Sequence, residues 1–204
     1  MFASLRRREF QTAGTFRPTR ADEAKAQIAR FLSARMRTRK ELFEKLTRDK
    51  GYEVEDANEA LDAMEAAGAV SDAAYAEAFA RHKWRTANWA ASRVRRSLRD
   101  KGVSDRDIDV GFVPVFGEGG TMRVDAHVEE EEEEEDLARL RAAELLRAAR
   151  AQFHRNPRGD LQTRIRRLMS WLERRGHSGS VIMDVVKVLR SEAGSGEDDA
   201  FRAH

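Results

Sequence analysis

No cysteine occurs anywhere in the sequence, so disulfides and thiolate nucleophiles are excluded and a reducing compartment suffices. Proline is scarce, with three in 204 residues, so little interrupts helix formation. Alternating runs of Val, Ile, Thr and aromatic residues are too few to build a sizeable sheet. No apolar run approaches the length that crosses a bilayer, and the expectation is a soluble protein with no membrane partner. The five histidines (His82, His127, His154, His177 and His204) are scattered, with no His-x-x-x-His pair to hold a metal. No Gly-x-x-x-x-Gly-Lys-Ser/Thr segment is present, and Gly117-Glu118-Gly119-Gly120 lacks the lysine a phosphate loop requires. These absences leave no catalytic constellation. The chain is expected to be a non-enzyme with no cofactor and no metal.

What is present is charge and helix formers. Hydrophobic residues make up 41% of the chain, and Ala, Leu, Arg and Glu are abundant, which favours helix. The net charge of +2 averages two unlike parts: removing the eight negative charges of Glu129–Glu135 and Asp136 leaves the remainder at +10. A basic body attracts phosphate or an acidic protein face. At the N-terminus, Arg6, Arg7, Arg8, Arg17 and Arg20 stand against one acid, Glu9, as in a basic arm or an organelle transit segment. The expected location is the cytoplasm, with a plastid or mitochondrial interior as the alternative if that arm is a transit peptide.

Helical periodicity marks nine helices in three sets. Ile28, Phe31 and Leu32 open the first. Thr38 and Glu41 form a capping box ahead of Leu42, Phe43 and Leu46, with Glu41 expected to reach back to the Thr38 amide. Lys50-Gly51 ends that helix, and Ala57, Ala60, Leu61 and Met64 line the next. In the second set Tyr75 and Phe79 follow Ser71-Asp72, and Ala90, Val94 and Leu98 run to Lys101-Gly102. Ser104 and Asp107 then cap a helix with Ile108 and Phe112. In the third set Leu137, Leu140, Leu146 and Phe153 mark a long helix. Leu161, Ile165, Leu168 and Leu172 run to Arg175-Gly176, and Ile182, Val185, Val186 and Leu189 close the series.

The recurring unit is a leucine followed by a basic residue and glycine: Leu46…Lys50-Gly51, Leu98…Lys101-Gly102, Leu172…Arg175-Gly176. The first has one extra residue between leucine and glycine. A three-helix unit buries too little by itself, so its repetition implies stacking. The fold expected is all-α, with tandem three-helix repeats in an elongated, curved arrangement. The divisions are a basic arm (1–23), repeats over 24–69 and 70–112, a flexible loop with the acidic tract (113–136), a third repeat (137–191) and a disordered tail (192–204).

Particular residues resemble the RecX family. Arg37-Thr38-Arg39-Lys40-Glu41-Leu42, Lys45-Leu46 and Lys50-Gly51-Tyr52 look like its opening repeat. Gly68-Ala69-Val70-Ser71-Asp72 with Tyr75-Ala76 looks like its repeat junction. Arg93, Leu98, Lys101, Gly102 and Val103 are similar to the end of its second repeat, and Trp171-Leu172, Arg174-Arg175-Gly176 and Ile182 to its third. The likeness covers about residues 24 to 191. Departures are the extra residue before Gly51, the acidic insertion, Ser71-Asp72 where many relatives carry two acids, and His177 where an aromatic is common. The resemblance implies a regulator that binds a RecA-like recombinase filament on DNA and restrains strand exchange, ATP hydrolysis and co-protease activity. Such a protein belongs to homologous recombination, DNA repair and the SOS response.

The expected contact surface is a basic stripe along the middle helices. Its residues are Arg39, Lys40 and Lys45; Arg93, Arg95, Arg96, Arg99 and Lys101; and Arg164, Arg167, Arg174 and Arg175. Stacking in register would align them to meet phosphates or partner carboxylates. Replacing Arg95, Arg96 and Arg99 with Ala is then expected to weaken association without unfolding the chain. The acidic tract could compete by folding over the stripe. The chain is expected to act as a monomer. Two other readings are a sequence-independent DNA-binding module that needs no recombinase, and a helical scaffold for acidic proteins.

Overall fold

The structure, a computed structural model, describes residues 19–118, 134–155 and 157–202. Among them are nine α-helices and no strand, in three units. Unit 1 comprises α1 (Arg20–Ala34), α2 (Arg39–Glu44, continuing as a π-helical turn, Lys45–Asp49) and α3 (Val54–Ala66). Unit 2 holds α4 (Asp72–Ala87), α5 (Ala91–Asp100) and α6 (Asp105–Phe116). Unit 3 holds α7 (Glu134–His154), α8 (Leu161–Glu173) and α9 (Gly179–Arg202). No helix among the described residues is long and apolar enough to cross a membrane.

The helices start where short oxygen-bearing side chains satisfy the first free amides. Thr19, Thr38, Ser71, Ser104 and Asp160 each accept from the amide three residues on. The reciprocal half of the box expected at α2 is not made. Glu41 instead faces Lys101 at 3.4 Å and Arg35 at 3.1 Å, because unit 2 lies against that end of the helix. The extra residue of the first unit is absorbed by the π-helical turn, the usual accommodation for a one-residue insertion in a helix.

Three boundaries differ from the sequence reading. The helix α6 runs past 112 to Phe116 with Pro114 inside it, although this stretch reads as the start of a flexible loop. Val115 and Phe116 are buried, and Phe116 meets Trp84 and Phe112 edge-on at 5.9 and 5.2 Å. Burying a side chain of that size is worth roughly 1.5–3 kcal/mol and keeps the last turn wound despite the proline. The helix α7 begins at Glu134, within the glutamate run, where negative charge favours a helix N-terminus. Glu129–Glu133 and most of the basic arm lie outside the described residues. At the far end, α9 continues through the expected tail to Arg202, and Glu192 is bound there by Arg150 at 2.6 Å.

The apolar stripe of α7 is also rotated from the one expected. Ala142, Leu145, Ala149 and Phe153 are buried, while Leu140 is 54% exposed. Ile165, Leu168 and Leu172 of α8 are buried as their spacing implies, with Trp171 beside them; Leu161 is exposed. Units 2 and 3 share one core, in which Trp84, Phe112, Leu145, Ile165 and Val185 belong to a single cluster. Unit 1 has a separate core built on Ile28, Leu42, Leu46, Ala57 and Leu61. The seam between unit 1 and unit 2 is polar.

Candidate functional site

Each junction is made by the N-terminal turn of one unit's middle helix and the basic-glycine loop of the next unit. At the first junction Thr38, fully buried, donates its hydroxyl to the Lys101 carbonyl at 3.1 Å. The Arg39 amide donates to the Asp72 carboxylate at 2.8 Å. Burial pushes the Asp72 carboxyl up, and the nearby acids Asp107 and Glu65 add to this, against the bond from Arg39. At the second junction the Ala90 amide donates to the Arg175 carbonyl (2.9 Å), and Ser92 donates its hydroxyl to the Gly176 carbonyl (2.7 Å). Ala90 starts α5 with no capping side chain, and unit 3 supplies the acceptor for its own amide.

Gly102 and Gly176 have φ of +82° and +83°, and each also lies too close to its neighbour to bear a side chain. A Cβ on Gly102 would meet Lys40 Cδ at 2.3 Å, and one on Gly176 would meet Arg93 Cβ at 2.8 Å. The repeated glycine thus ends a helix and admits the preceding unit.

The twelve cations of the expected stripe divide into groups. Arg39 is held by Asp62 and Glu65, both at 2.8 Å, and Lys45 by Asp49 at 3.0 Å. Arg95 pairs with Asp109 (2.6 Å) and Arg99 with Asp105 (2.7 Å), acids on the neighbouring α6. Lys101 faces Glu41, and the stem of Lys40 packs over Gly102. Arg175 is taken into the second junction, donating to the Ala87 carbonyl at 2.8 Å and lying 3.9 Å from the Trp171 ring. Burial pulls its pKa down, and the positive charges of Arg174 and Arg93 pull it further.

The remaining cations gather on either side of Arg174. Arg93, Arg96 and Arg174 are exposed and carry no ion pair among the described residues. They line an open groove of ≈ 600 Å³ at the junction of units 2 and 3, with Trp89, Ser92, His177 and the acids Asp100 and Glu173. Trp89 is half-buried and carries Arg93 at 4.2 Å and Lys83 at 4.8 Å from its ring, so it serves to hold cations. A second groove of ≈ 460 Å³ is lined by Arg164, Arg166, Arg167 and Arg174 beside Phe153. There Arg164 lies 3.9 Å from the Phe153 ring, and Arg167 donates to the Arg158 carbonyl at 2.7 Å. The two grooves share Arg174.

Trp89 and Ser92 were not part of the expected surface. The spacing of Ser92 from the alanine that opens α5 is no signal by itself, since only its contact with Gly176 gives it a role. Trp84 and Trp171 belong to the core, and the Trp84 indole N–H donates to Glu144. Burial works to raise the Glu144 carboxyl, but the bonds from Trp84 and Arg141 outweigh it and hold the group below its ordinary value. No cluster of His, Asp or Glu able to hold a metal occurs among the described residues.

Models of the RecX first and second three-helix domains match residues 24–63 and 71–110, which are α1–α3 and α4–α6. The Regulatory protein RecX of Mycobacterium sp. (strain KMS) is 35% identical over 171 residues, 84% of each chain. That of Streptomyces coelicolor is 31% identical over 173 residues, 85% of this chain and 80% of the relative. The crystal structure of RecX from Lactobacillus salivarius matches with a TM-score of 0.64 at 17% identity, covering 84% of this chain and 97% of that one. A crystal structure of regulatory protein RecX matches at 0.61 and 22%, covering 81% and 72%. These two structures bear on the fold alone.

Proposed function

The chain belongs to the RecX family of regulatory proteins, and on that premise we propose that it binds a RecA-type recombinase filament on DNA and restrains its activity. Strand exchange, ATP hydrolysis and co-protease activity are the outputs it lowers, and the cytoplasm is where it does so. It acts by binding as a monomer, without a reaction of its own.

The observation that carries this reading is the cationic surface around Arg174, where Arg93, Arg96 and Arg174 line one groove without an ion pair among the described residues and Arg164, Arg166 and Arg167 line the next. A DNA-wrapped protein filament offers phosphates and carboxylates side by side, and guanidinium groups pair with both. Arginines spread along open grooves suit an extended anionic partner better than a small ligand.

The test is ATP hydrolysis by a RecA-type recombinase on single-stranded DNA, with and without this protein. Hydrolysis should slow. If inhibition disappears when free DNA is added in excess, the protein is a sequence-independent DNA binder acting without the recombinase. No slowing at any salt concentration would end the proposal.

A further inference from the structure

Two of the three basic-glycine loops are covered by the unit before them, and nothing among the described residues covers the third. Gly51 is the counterpart of Gly102 and Gly176, with φ +68°, and no described atom lies within 4 Å of where its Cβ would stand. The residue after the glycine follows the same division. Val103 and His177 are buried, whereas Tyr52 is half-buried, with the Arg20 guanidinium 5.3 Å from its ring. The internal junctions show what such a loop accepts. Its occupant is the first turn of a helix, which brings a donor to the loop carbonyl and packs a stem over the glycine. At the first junction that turn also sets an acid three residues past its cap, Glu41, against the loop's basic residue, Lys101.

The other end of the chain does not supply this occupant. Thr38 and Ala90 stand eight residues before Leu46 and Leu98, but Asp160 stands twelve before Leu172, so α8 begins one turn earlier. The residue aligned with Thr38 and Ala90 is Arg164, whose amide is already bonded to the Asp160 carbonyl at 3.1 Å. In unit 3 the position that meets a loop at the internal junctions therefore lies inside the helix, with its amide already bonded. The open loop also differs in its backbone. Its closing bond, from the Tyr52 amide to the Leu46 carbonyl, spans six residues, whereas Val103 to Leu98 and His177 to Leu172 span five. The π-helical turn that causes this lies directly before the open glycine, and such turns collect at functional sites.

We propose that the Lys50-Gly51-Tyr52 loop is a docking seat for the exposed first turn of a helix on a partner protein. That turn carries a Ser or Thr cap and a carboxylate three residues on, complementary to Lys50 as Glu41 is to Lys101. The proposal rests on the functional reading above, in which the partner is the recombinase, and adds a contact remote from the arginine grooves.

The experiment measures affinity for a recombinase filament on oligodeoxythymidine, using the full chain and the variants Gly51→Asn, Lys50→Glu and Gly68→Asn. Asparagine tolerates positive φ, and Gly68 (φ +71°, equally open) controls for the backbone cost of the change. Gly51→Asn and Lys50→Glu should each bind roughly tenfold more weakly, a loss that only a minority of interface residues cause when changed, while Gly68→Asn binds as the parent does. Equal binding by all four overturns the seat and leaves the functional reading standing. No binding by the parent removes both. A melting temperature lowered by Gly51→Asn well beyond Gly68→Asn would mean that the chain's own residues fill the loop. Self-association of the parent that Gly51→Asn abolishes in sedimentation would make the occupant a second copy. Either result overturns the proposal.

Discussion

Arg95, Arg96 and Arg99 occupy one short helix and are chemically identical, yet their surroundings give them different work. Arg95 and Arg99 each have a carboxylate on α6 within ion-pair distance, while Arg96 faces the groove with Arg93 and Arg174. The triple replacement expected to weaken binding therefore mixes two kinds of residue. Arg93→Ala, Arg96→Ala and Arg174→Ala should lower affinity for the DNA-bound filament and flatten its salt dependence, by about 0.9 log units per log salt for each duplex phosphate no longer neutralised. Arg95→Ala and Arg99→Ala should change it far less, as titrations at several salt concentrations would show. His177 makes a second residue-scale prediction. Burial depresses its pKa, and Arg175 adds to this against the bond its Nε2 makes to the Asn88 carbonyl (2.9 Å). The folded chain holds the ring neutral, while the unfolded chain protonates it at the ordinary value near 6.5. Stability should be level above that value and fall as pH drops through it, because the unfolded state binds the extra proton. The urea midpoint should decline between about pH 7.5 and 5.5, and His177→Phe should remove most of that slope.

Among the elements, α4 and α6 show how closely two helices are required to approach. Gly111 of α6 lies against α4, where a Cβ would stand 2.6 Å from the Ala73 carbonyl oxygen and 2.8 Å from Ala76 Cβ. Gly111→Ala should therefore destabilise the chain by about 1–3 kcal/mol through overpacking, although alanine is the better helix former. A chemical unfolding curve would measure this, and a neutral or stabilising result would mean the helices can part freely. The middle helices show the opposite tendency, in which one plan tolerates variation: α2 takes an extra residue as a π-helical turn, and α8 gains a turn at its start. In both cases the leucine and the glycine keep their places in the core and the loop.

The whole molecule divides as one unit plus two. Units 2 and 3 share a core, whereas unit 1 meets unit 2 through Thr38, Arg39, Glu41, Asp72 and Lys101, which are polar. A polar seam costs less to open than shared apolar packing, since water can replace its partners. Amide hydrogen exchange should show residues 24–69 opening as a group at lower free energy than the core amides of 75–189. Asp72→Ala should widen that difference. Uniform protection across both parts would show instead that the seam couples them into one cooperative body.

The sequence by itself determined the order of the helices and several of their starts, because helix period and capping are local properties that a few neighbouring residues decide. Thr38, Ser71, Ser104 and Asp160 begin helices where their spacing says they should, and the three basic-glycine loops follow α2, α5 and α8. It also determined the basic character of the body. Only the tertiary structure decided that Leu140 faces solvent while Leu145 is buried, that Phe116 extends α6 to reach Trp84, and that the repeats do not share one continuous core. It likewise decided which arginines carry no ion pair among the described residues, since the carboxylates that neutralise Arg39, Arg95 and Arg99 come from other helices. Charge can be counted along a chain, but whether it is available to a partner depends on what folding brings within a few ångströms of it.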